Sequence, residues 1–275
     1  MEFIFRGHTC AKIVGTIFLL SLITQTSASV YAQEFGLTYS SASATPAYAQ
    51  AEKGLRFHSS MIANNLRAPS FEELRQAGFT LIGTGHGGLY SDSELNVTLR
   101  NWFKNVRSAG FRTFLQIQAD YQNAHSYVLK AASLAVDVVE LDELIDKLGF
   151  TEIQLLGIID TGLTKNPNLQ YIITEYTVNG ITKAYEWTAK YPQVRVATDN
   201  YGDKSSIDLG IRLAQKFNKR PLVWLIFTPG SKDFDCYNSL DTWLSYAKER
   251  KVDAIFFKID KSGDWQIKWK SVVGY

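Results

Sequence analysis

Cysteine is scarce in this sequence and net charge is close to zero, and each shortage excludes a class of protein. Only Cys10 and Cys236 occur among 275 residues. We expect Cys10 to be lost with an N-terminal leader, so the mature chain could form no internal disulfide and no cysteine-based metal cluster. The formal charge is +2, without a basic stripe or a long charge run. Nucleic acid is therefore not expected as a partner.

Long apolar runs are also missing, except near the N-terminus. The run from Ile13 to Ile23 follows Arg6 and Lys12 and precedes the small-x-small site at 30–32. This order predicts a secretory signal peptide over residues 1–32. An uncleaved anchor is the alternative, although the run is shorter than the roughly 20 residues that span a bilayer. We expect a secreted or extracytoplasmic protein that contacts membrane only through this segment, if it is retained.

The rest of the chain divides into a leader or linker at 33–54, rich in Ala, Ser, Thr and Tyr, and one domain at 55–275. In that domain the same order recurs six times: a helix-like segment ends at a stop residue, and an apolar, strand-like segment follows. The stops are Gly78, Gly110, Gly149, Pro192, Pro221 and Val252. Glycine takes the left-handed helix cap at little cost, and proline cannot continue a helix. Alternation of strand and helix at this period predicts a parallel sheet.

The predicted fold is a (β/α)8-like TIM barrel with seven strands placed and the closing strand left open. Strands are predicted near 55–60, 79–85, 111–119, 152–159, 193–198, 221–227 and 253–259, and helices near 70–77, 93–108, 125–147, 171–190, 205–218 and 238–250. The closing strand is either Phe35–Tyr39 or Trp265–Val273. In such barrels the chemistry lies beyond the carboxyl ends of the strands.

Residues two apart in a strand share a face, and one face of the predicted strands is polar. Its members are Arg56, His58, Ser60; Thr80, Ile82, Thr84, His86; Phe114, Gln116, Gln118, Asp120; Gln154, Leu156, Ile158, Asp160; Arg195, Ala197, Asp199; Leu222, Trp224, Ile226, Thr228; and Phe256, Lys258, Asp260. We predict that this face lines the barrel interior, while Leu155, Val196 and Leu225 face the helices. Buried charges need partners, and the cations and aspartates of this face could supply them to each other.

Four predicted strands run into aspartate: Asp120, Asp160, Asp199 and Asp260. Glycoside hydrolysis uses paired carboxyl groups, one as acid and the other as nucleophile or base. We predict a catalytic site centred on Asp160, paired with Asp260 or Asp199, with Asp120 beside it. Aspartate also starts helices after any strand, so helix capping is the alternative for each. The predicted substrate-binding residues are His58, His86, Gln118, Arg195, Tyr201, Trp224 and Lys258.

The segment LRFHSSMIANNLRAPSFEELRQAGFTLIGTGHG resembles the first strand, first helix and second strand of TIM-barrel glycoside hydrolases. The resemblance extends in rhythm over residues 55–260 and implies a carbohydrate hydrolase without a cofactor. Many of these enzymes carry Asn-Glu after the fourth barrel strand, where the strand predicted here ends in Ile159-Asp160. No glutamate is predicted at a strand end, which favours families that use Asp as nucleophile, an argument by analogy of fold.

Two other classes of function stay open. His58 and His86 end the first two predicted strands and, with the cations of the same face, would suit a phosphodiesterase or a metal-assisted hydrolase. No His-x-His or His-Glu-x-x-His spacing supports a metal, so none is predicted. The third class is a non-catalytic, cell-surface glycan-binding protein on the same fold. The expected ligand is a carbohydrate or another small molecule, and the sequence does not set the oligomeric state.

Overall fold

The computed structural model describes residues 52–58, 62, 68–85, 93–134, 136–199, 204–226, 240–252, 254–259 and 269–274, with backbone alone at 93–96, 226 and 254–259. Eight parallel strands pair in chain order and close into a barrel. They are β1 Glu52–Phe57, β2 Phe79–Gly85, β3 Arg112–Ile117, β4 Val138–Asp142, β5 Gln170–Glu175, β6 Val194–Asp199, β7 Leu222–Ile226 and β8 Ala254–Ile259. The predicted TIM-barrel fold is therefore confirmed.

Helices connect successive strands. They are α1 Phe71–Gln76, α2 Ser93–Ser108, α3 Tyr121–Ser133, α4 Glu152–Lys165, α5 Val178–Trp187, α6 Lys204–Lys216 and α7 Leu240–Glu249, followed by α8 Trp269–Val273 after β8. Gly78 and Gly110 have φ values of 77° and 88°, the left-handed conformation expected of a helix stop, and Gly149, which lies between β4 and α4, has a φ of 68°. No helix in the described part of the chain is both long and apolar enough to cross a bilayer.

The predicted strand at 152–159 is wrong, because these residues belong to α4. Thr151 caps this helix. Its hydroxyl oxygen accepts from the Gln154 N–H, and Gln154 Oε1 accepts from the Thr151 N–H, which completes a capping box. The buried residues Leu155, Ile158, Ile159 and Gly162 follow helical spacing. Leu155 therefore packs from a helix, and Gln154 lies at a helix start, not in the barrel interior.

Two strands lie inside segments predicted as helix. The predicted helix at 125–147 contains β4, and the one at 171–190 contains β5. Pairing of β8 with β1, from Glu52 opposite Ala254 to Phe57 opposite Ile259, closes the barrel. The prediction of Trp265–Val273 as the closing strand is wrong over 269–273, because these residues form α8. The other candidate, Phe35–Tyr39, lies outside the described residues.

The barrel interior is filled by an apolar cluster drawn from six neighbouring strands: Leu81, Phe114, Val138, Ile172, Ala197, Leu222 and Trp224. The predicted interior face is correct for β3, β6 and β7, and Val196 and Leu225 pack on the helix side as predicted. It is wrong for β2, where Leu81 points inward and Ile82 packs with the helices. Gly83 shares the inward face of β2 with Leu81, and a Cβ there would lie 2.3 Å from Phe114, so this position has space only for glycine.

The amino-terminal end of the barrel is held by an ion cluster. Arg112 and Arg195 each place a guanidinium nitrogen 2.5 Å from the carboxylate of Glu52. Arg112 also donates to Gln170 at 2.6 Å. Glu52 is the first residue of β1 and Arg195 the second of β6, so this cluster lies at the end opposite the carboxyl ends of the strands.

Candidate active site

Four buried carboxyl groups gather toward the carboxyl end of the barrel. Glu140 and Asp142 lie on the interior face of β4, Glu143 directly follows that strand, and Asp199 ends β6. Their exposed fractions are 0%, 9%, 4% and 7%. Acidic side chains are seldom buried to this degree, because desolvation penalises their charge. Such a concentration is typical of a site whose chemistry uses protons or charge.

Glu140 is the deepest of the four. Its Oε1 accepts a 2.8 Å hydrogen bond from Thr174 Oγ1 on β5. The Arg56 guanidinium carbon lies 4.7 Å from the centroid of the Trp224 ring. Burial raises the pKa of Glu140, while Arg56, Thr174 and the indole of Trp224 act in the opposite direction. Glu140 Oε2 and Trp224 Nε1 are both buried, and neither atom has a hydrogen-bond partner among the described residues, so the indole affects the pKa of Glu140 only by lying near it.

Gln118 joins the next two carboxyl groups. Its Nε2 donates to Asp142 Oδ2 at 3.0 Å and to Glu143 Oε2 at 2.7 Å. These two oxygens are therefore at most about 5.7 Å apart. Lys147 Nζ donates to the same Glu143 oxygen at 2.9 Å, which raises the pKa of Lys147. The amide fixes the position of Asp142, and the ammonium gives Glu143 a charge-assisted hydrogen bond.

Asp142 is the group in this site suited to carry a proton. Burial raises its pKa well above the ordinary value, and the nearby Glu140 raises it further. Arg56 opposes the shift, while Asp199 and Glu143 add to it. A carboxyl group kept neutral near pH 7 can serve as a general acid.

The loop after β4 is locked to the end of β5. Glu143 has a φ of 53° and donates its N–H to the Thr174 carbonyl at 2.8 Å. The Glu175 carboxylate accepts hydrogen bonds from the N–H groups of Ile145 at 2.8 Å and Asp146 at 3.0 Å. Glu175 shares its strand face with Ile173, which packs on the helix side, so it supports the loop and does not line the interior.

Of the four predicted catalytic aspartates, the structure describes three, and they lie at three different elements. Asp160 is exposed on α4 and accepts a 2.9 Å hydrogen bond from the Tyr191 hydroxyl, so its placement at a strand end is wrong. Asp120 caps α3 and accepts hydrogen bonds from the backbone and side chain of Asn123, which lower its pKa. Asp199 ends β6, as predicted. Asp260 lies outside the described residues.

The predicted substrate-binding residues separate into three groups. Gln118 and Trp224 contribute to the carboxyl cluster, and His58 follows β1 in a partly buried position. Arg195 shares the interior face of β6, as predicted, but it pairs with Glu52 at the opposite end of the barrel, away from the carboxyl cluster. His86, Tyr201 and the side chain of Lys258 lie outside the described residues, which leaves the expected proximity of His58 and His86 untested.

The prediction that no glutamate lies at a strand end is wrong. Glu140 lies within β4, Glu143 directly follows β4, and Glu175 ends β5. The signal available in the sequence was Val138-Val139-Glu140-Leu141-Asp142, a short run with alternating acidic residues and β-branched residues at its start. Within the described ranges, no group of three or more His, Cys, Asp or Glu side chains is arranged to hold a metal ion.

Neither a protein-family model nor a curated protein matches the sequence. Solved structures do match in fold. Cel5A from Thermotoga maritima, solved with cellobiose, has a TM-score of 0.59 and 9% identity, covering 80% of this chain and 97% of its own. Cellulose synthase subunit Z from Clostridioides difficile has a TM-score of 0.52 and 12% identity, covering 82% and 99%. XacCel5A, solved with cellopentaose, has a TM-score of 0.53 and 9% identity, covering 83% and 100%.

At this identity the likeness shows the fold alone. It confirms the resemblance to TIM-barrel glycoside hydrolases at the level of architecture. It assigns no specific family and no catalytic residues.

Proposed function

We propose that this protein is an exported carbohydrate hydrolase in which Asp142 is the proton donor and Asp199 is the catalytic carboxylate. The observation that carries the proposal is the burial of the Asp142 carboxyl among other carboxyl groups toward the carboxyl end of a barrel, which raises its pKa well above the ordinary value. Asp199 lies at the end of β6, two strands away from β4, and its charge raises the pKa of Asp142. Export rests on the signal-peptide pattern at 1–32.

The reaction needs two carboxyl groups in different states. Asp142 gives its proton to the glycosidic oxygen as the bond between that oxygen and the anomeric carbon breaks. Asp199 stabilises the developing positive charge, either by bonding to the anomeric carbon or by taking a proton from an attacking water. Water supplies the new hydroxyl group, and its remaining proton restores the acid. Gln118 keeps Asp142 oriented throughout.

The charge of the site favours a neutral substrate over a phosphodiester. Four carboxyl groups face two described cations, Arg56 and Lys147, and Lys147 is already hydrogen-bonded to Glu143. A phosphodiesterase needs cations free to hold the phosphate. Two barrels of similar fold were solved with cellobiose and cellopentaose, so cellulose-type glucans are a reasonable start for a substrate panel.

The test is a polysaccharide and aryl-glycoside panel applied to the wild type, Asp142→Asn and Asp199→Asn, with the exposed Glu152→Gln as a matched control. We expect the Asp142 variant to lose roughly 10²- to 10⁴-fold on polysaccharide. The Asp142 variant should lose less activity on aryl glycosides, because their phenol leaves without protonation. Asp199→Asn should lose activity on polysaccharides and on aryl glycosides alike. Melting temperatures verify that each variant folds.

Two results would contradict the proposal. One is the absence of hydrolysis across the panel by folded wild-type protein. The other is full polysaccharide turnover by folded Asp142→Asn. Binding without hydrolysis would instead support the alternative of a non-catalytic glycan-binding protein.

A further inference from the structure

Glu140 and Asp142 lie on the same face of one short strand, two residues apart. Both face the barrel interior, because Val138 of the same face belongs to the interior cluster. Glu140 is fully buried and Asp142 lies nearer the mouth. Residues two apart on a strand are separated by roughly 6.5 Å, so the two carboxyl groups are neighbours in a space where water cannot separate their charges.

The donors around this pair are distributed unequally. Thr174 donates to Glu140 at 2.8 Å, and this donor serves Glu140 alone among the two carboxyl groups. Asp142 accepts from the neutral amide of Gln118, which it shares with Glu143. Arg56 favours the ionised form of both. The described surroundings therefore favour negative charge on Glu140 over negative charge on Asp142.

We propose that Glu140 is a positioning residue that shares one proton with Asp142 and, by holding the negative charge, leaves that proton on Asp142 for the substrate. The inference deepens the proposed function and rests on it, since the use of the proton requires that Asp142 be the acid. Glu140 touches no reacting atom in this role; it acts through Asp142.

The physical basis is that two neighbouring buried carboxyl groups cannot both ionise freely. Such a pair loses its two protons in separate steps that belong to the pair. The charged groups that act on Asp142 in the described structure are Glu140, Arg56, Asp199 and Glu143. Removal of the Glu140 charge eliminates the largest repulsive contribution among them. Removal of Arg56 should have the opposite effect.

The experiment follows the titration of Asp142 by NMR in protein labelled with ¹³C at the aspartate carboxyl groups. The resonance missing from Asp142→Asn identifies the group. In Glu140→Gln we expect Asp142 to titrate about one pH unit lower or more. Arg56→Gln should move the titration upward, and the exposed Glu152→Gln should leave it unchanged. The basic limb of the pH profile of kcat/KM should move with the resonance.

Thr174→Val keeps both carboxyl groups and removes the hydroxyl donor to Glu140, so it tests the same idea if Glu140→Gln does not fold. It should move the Asp142 titration downward by a smaller amount. Unchanged titration in a folded Glu140→Gln, or in Thr174→Val where the first does not fold, would overturn the inference. A shifted resonance in a protein that hydrolyses no glycan would reject the proposed function but support the shared proton.

Discussion

The hydroxyl group of Tyr191 donates a 2.9 Å hydrogen bond to the carboxylate of Asp160 on the outer layer of the barrel. Asp160 is exposed on α4, and Tyr191 lies in the connection between α5 and β6. Burial and the adjacent Asp160 raise the pKa of Tyr191 to about 12, so the phenol stays a donor through the neutral range. The pair ties two outer segments together and belongs to the helix layer, not to the barrel mouth.

Asp160→Asn should therefore leave turnover unchanged. The asparagine oxygen can still accept from Tyr191, and an exposed hydrogen bond contributes only about 1 kcal/mol to the free energy of unfolding. We expect a change in melting temperature of no more than about 4 °C for a domain of this size. Turnover and melting temperature measured on the same preparation check this. A hundredfold loss of turnover at an unchanged melting temperature would return Asp160 to the active site.

The sequence predicts the barrel because the alternation of strands and helices stays recognisable even where a single element is assigned wrongly. Strands such as β2 and β3 begin just after a glycine stop, so the sequence predicts both. The segments of β4 and β5 carry polar residues that the closed barrel buries. Local periodicity does not detect strand pairing, so it extends the neighbouring predicted helices over these two segments.

The candidate site was predicted only where its residues lie on correctly placed strands. Gln118 and Asp199 follow β3 and β6, and both belong to the site. Glu140 and Asp142 were hidden inside a predicted helix. The apolar segment before Asp160 resembles a strand, so the sequence predicts Asp160, and not Glu140 or Asp142, as the catalytic residue at a strand end. In α4 the apolar positions follow helical spacing, and the capping box at Thr151 starts the helix just after Gly149.

The mature N-terminus should lie at Gln33 or within a few residues of it. The basic residues Arg6 and Lys12, the apolar run from Ile13 and the small residues near 30–32 are the pattern that a signal peptidase reads. N-terminal sequencing of protein recovered outside the cytoplasm checks the position. Recovery of intact Met1 in a soluble cytoplasmic pool would reject export.

Glu52→Gln should destabilise the fold without changing the chemistry of the folded enzyme. Glu52 and Arg195 side chains are 12% and 17% exposed, so removal of the carboxylate takes a close counter-charge from a largely buried Arg195. We expect a loss of about 2–4 kcal/mol in the free energy of unfolding, less than for a wholly buried pair because Arg112 is 40% exposed. Urea unfolding and turnover per folded molecule are the measurements.

The matched control for that variant is Glu72→Gln, which removes an exposed ion pair with Arg75 on α1. This change should cost no more than about 0.5 kcal/mol. Equal losses from the two variants would show that the cluster at the amino-terminal end has no special role. Lower turnover per folded Glu52→Gln molecule would contradict its separation from the active site.

Stability should decrease as pH rises toward 8, because of Glu175. Burial raises the pKa of this carboxyl to about 8 from an ordinary 4.5. The folded state therefore binds a proton that the unfolded state has released, and its stabilising effect is complete below about pH 4.5 and lost as pH rises through 8. The N–H groups of Ile145 and Asp146 favour the ionised form of Glu175, so the two loop hydrogen bonds should persist as this proton is lost.

Glu175→Gln isolates this contribution, because glutamine has nearly the same shape and does not titrate. Its amide oxygen can accept from one of the two loop N–H groups and its amino group cannot accept from the other, so the variant should start less stable. It should then lose less stability than the wild type between pH 5 and 8, measured by thermal unfolding across that range. Parallel pH dependence in the two proteins would show that Glu175 does not titrate in that range and would contradict the prediction.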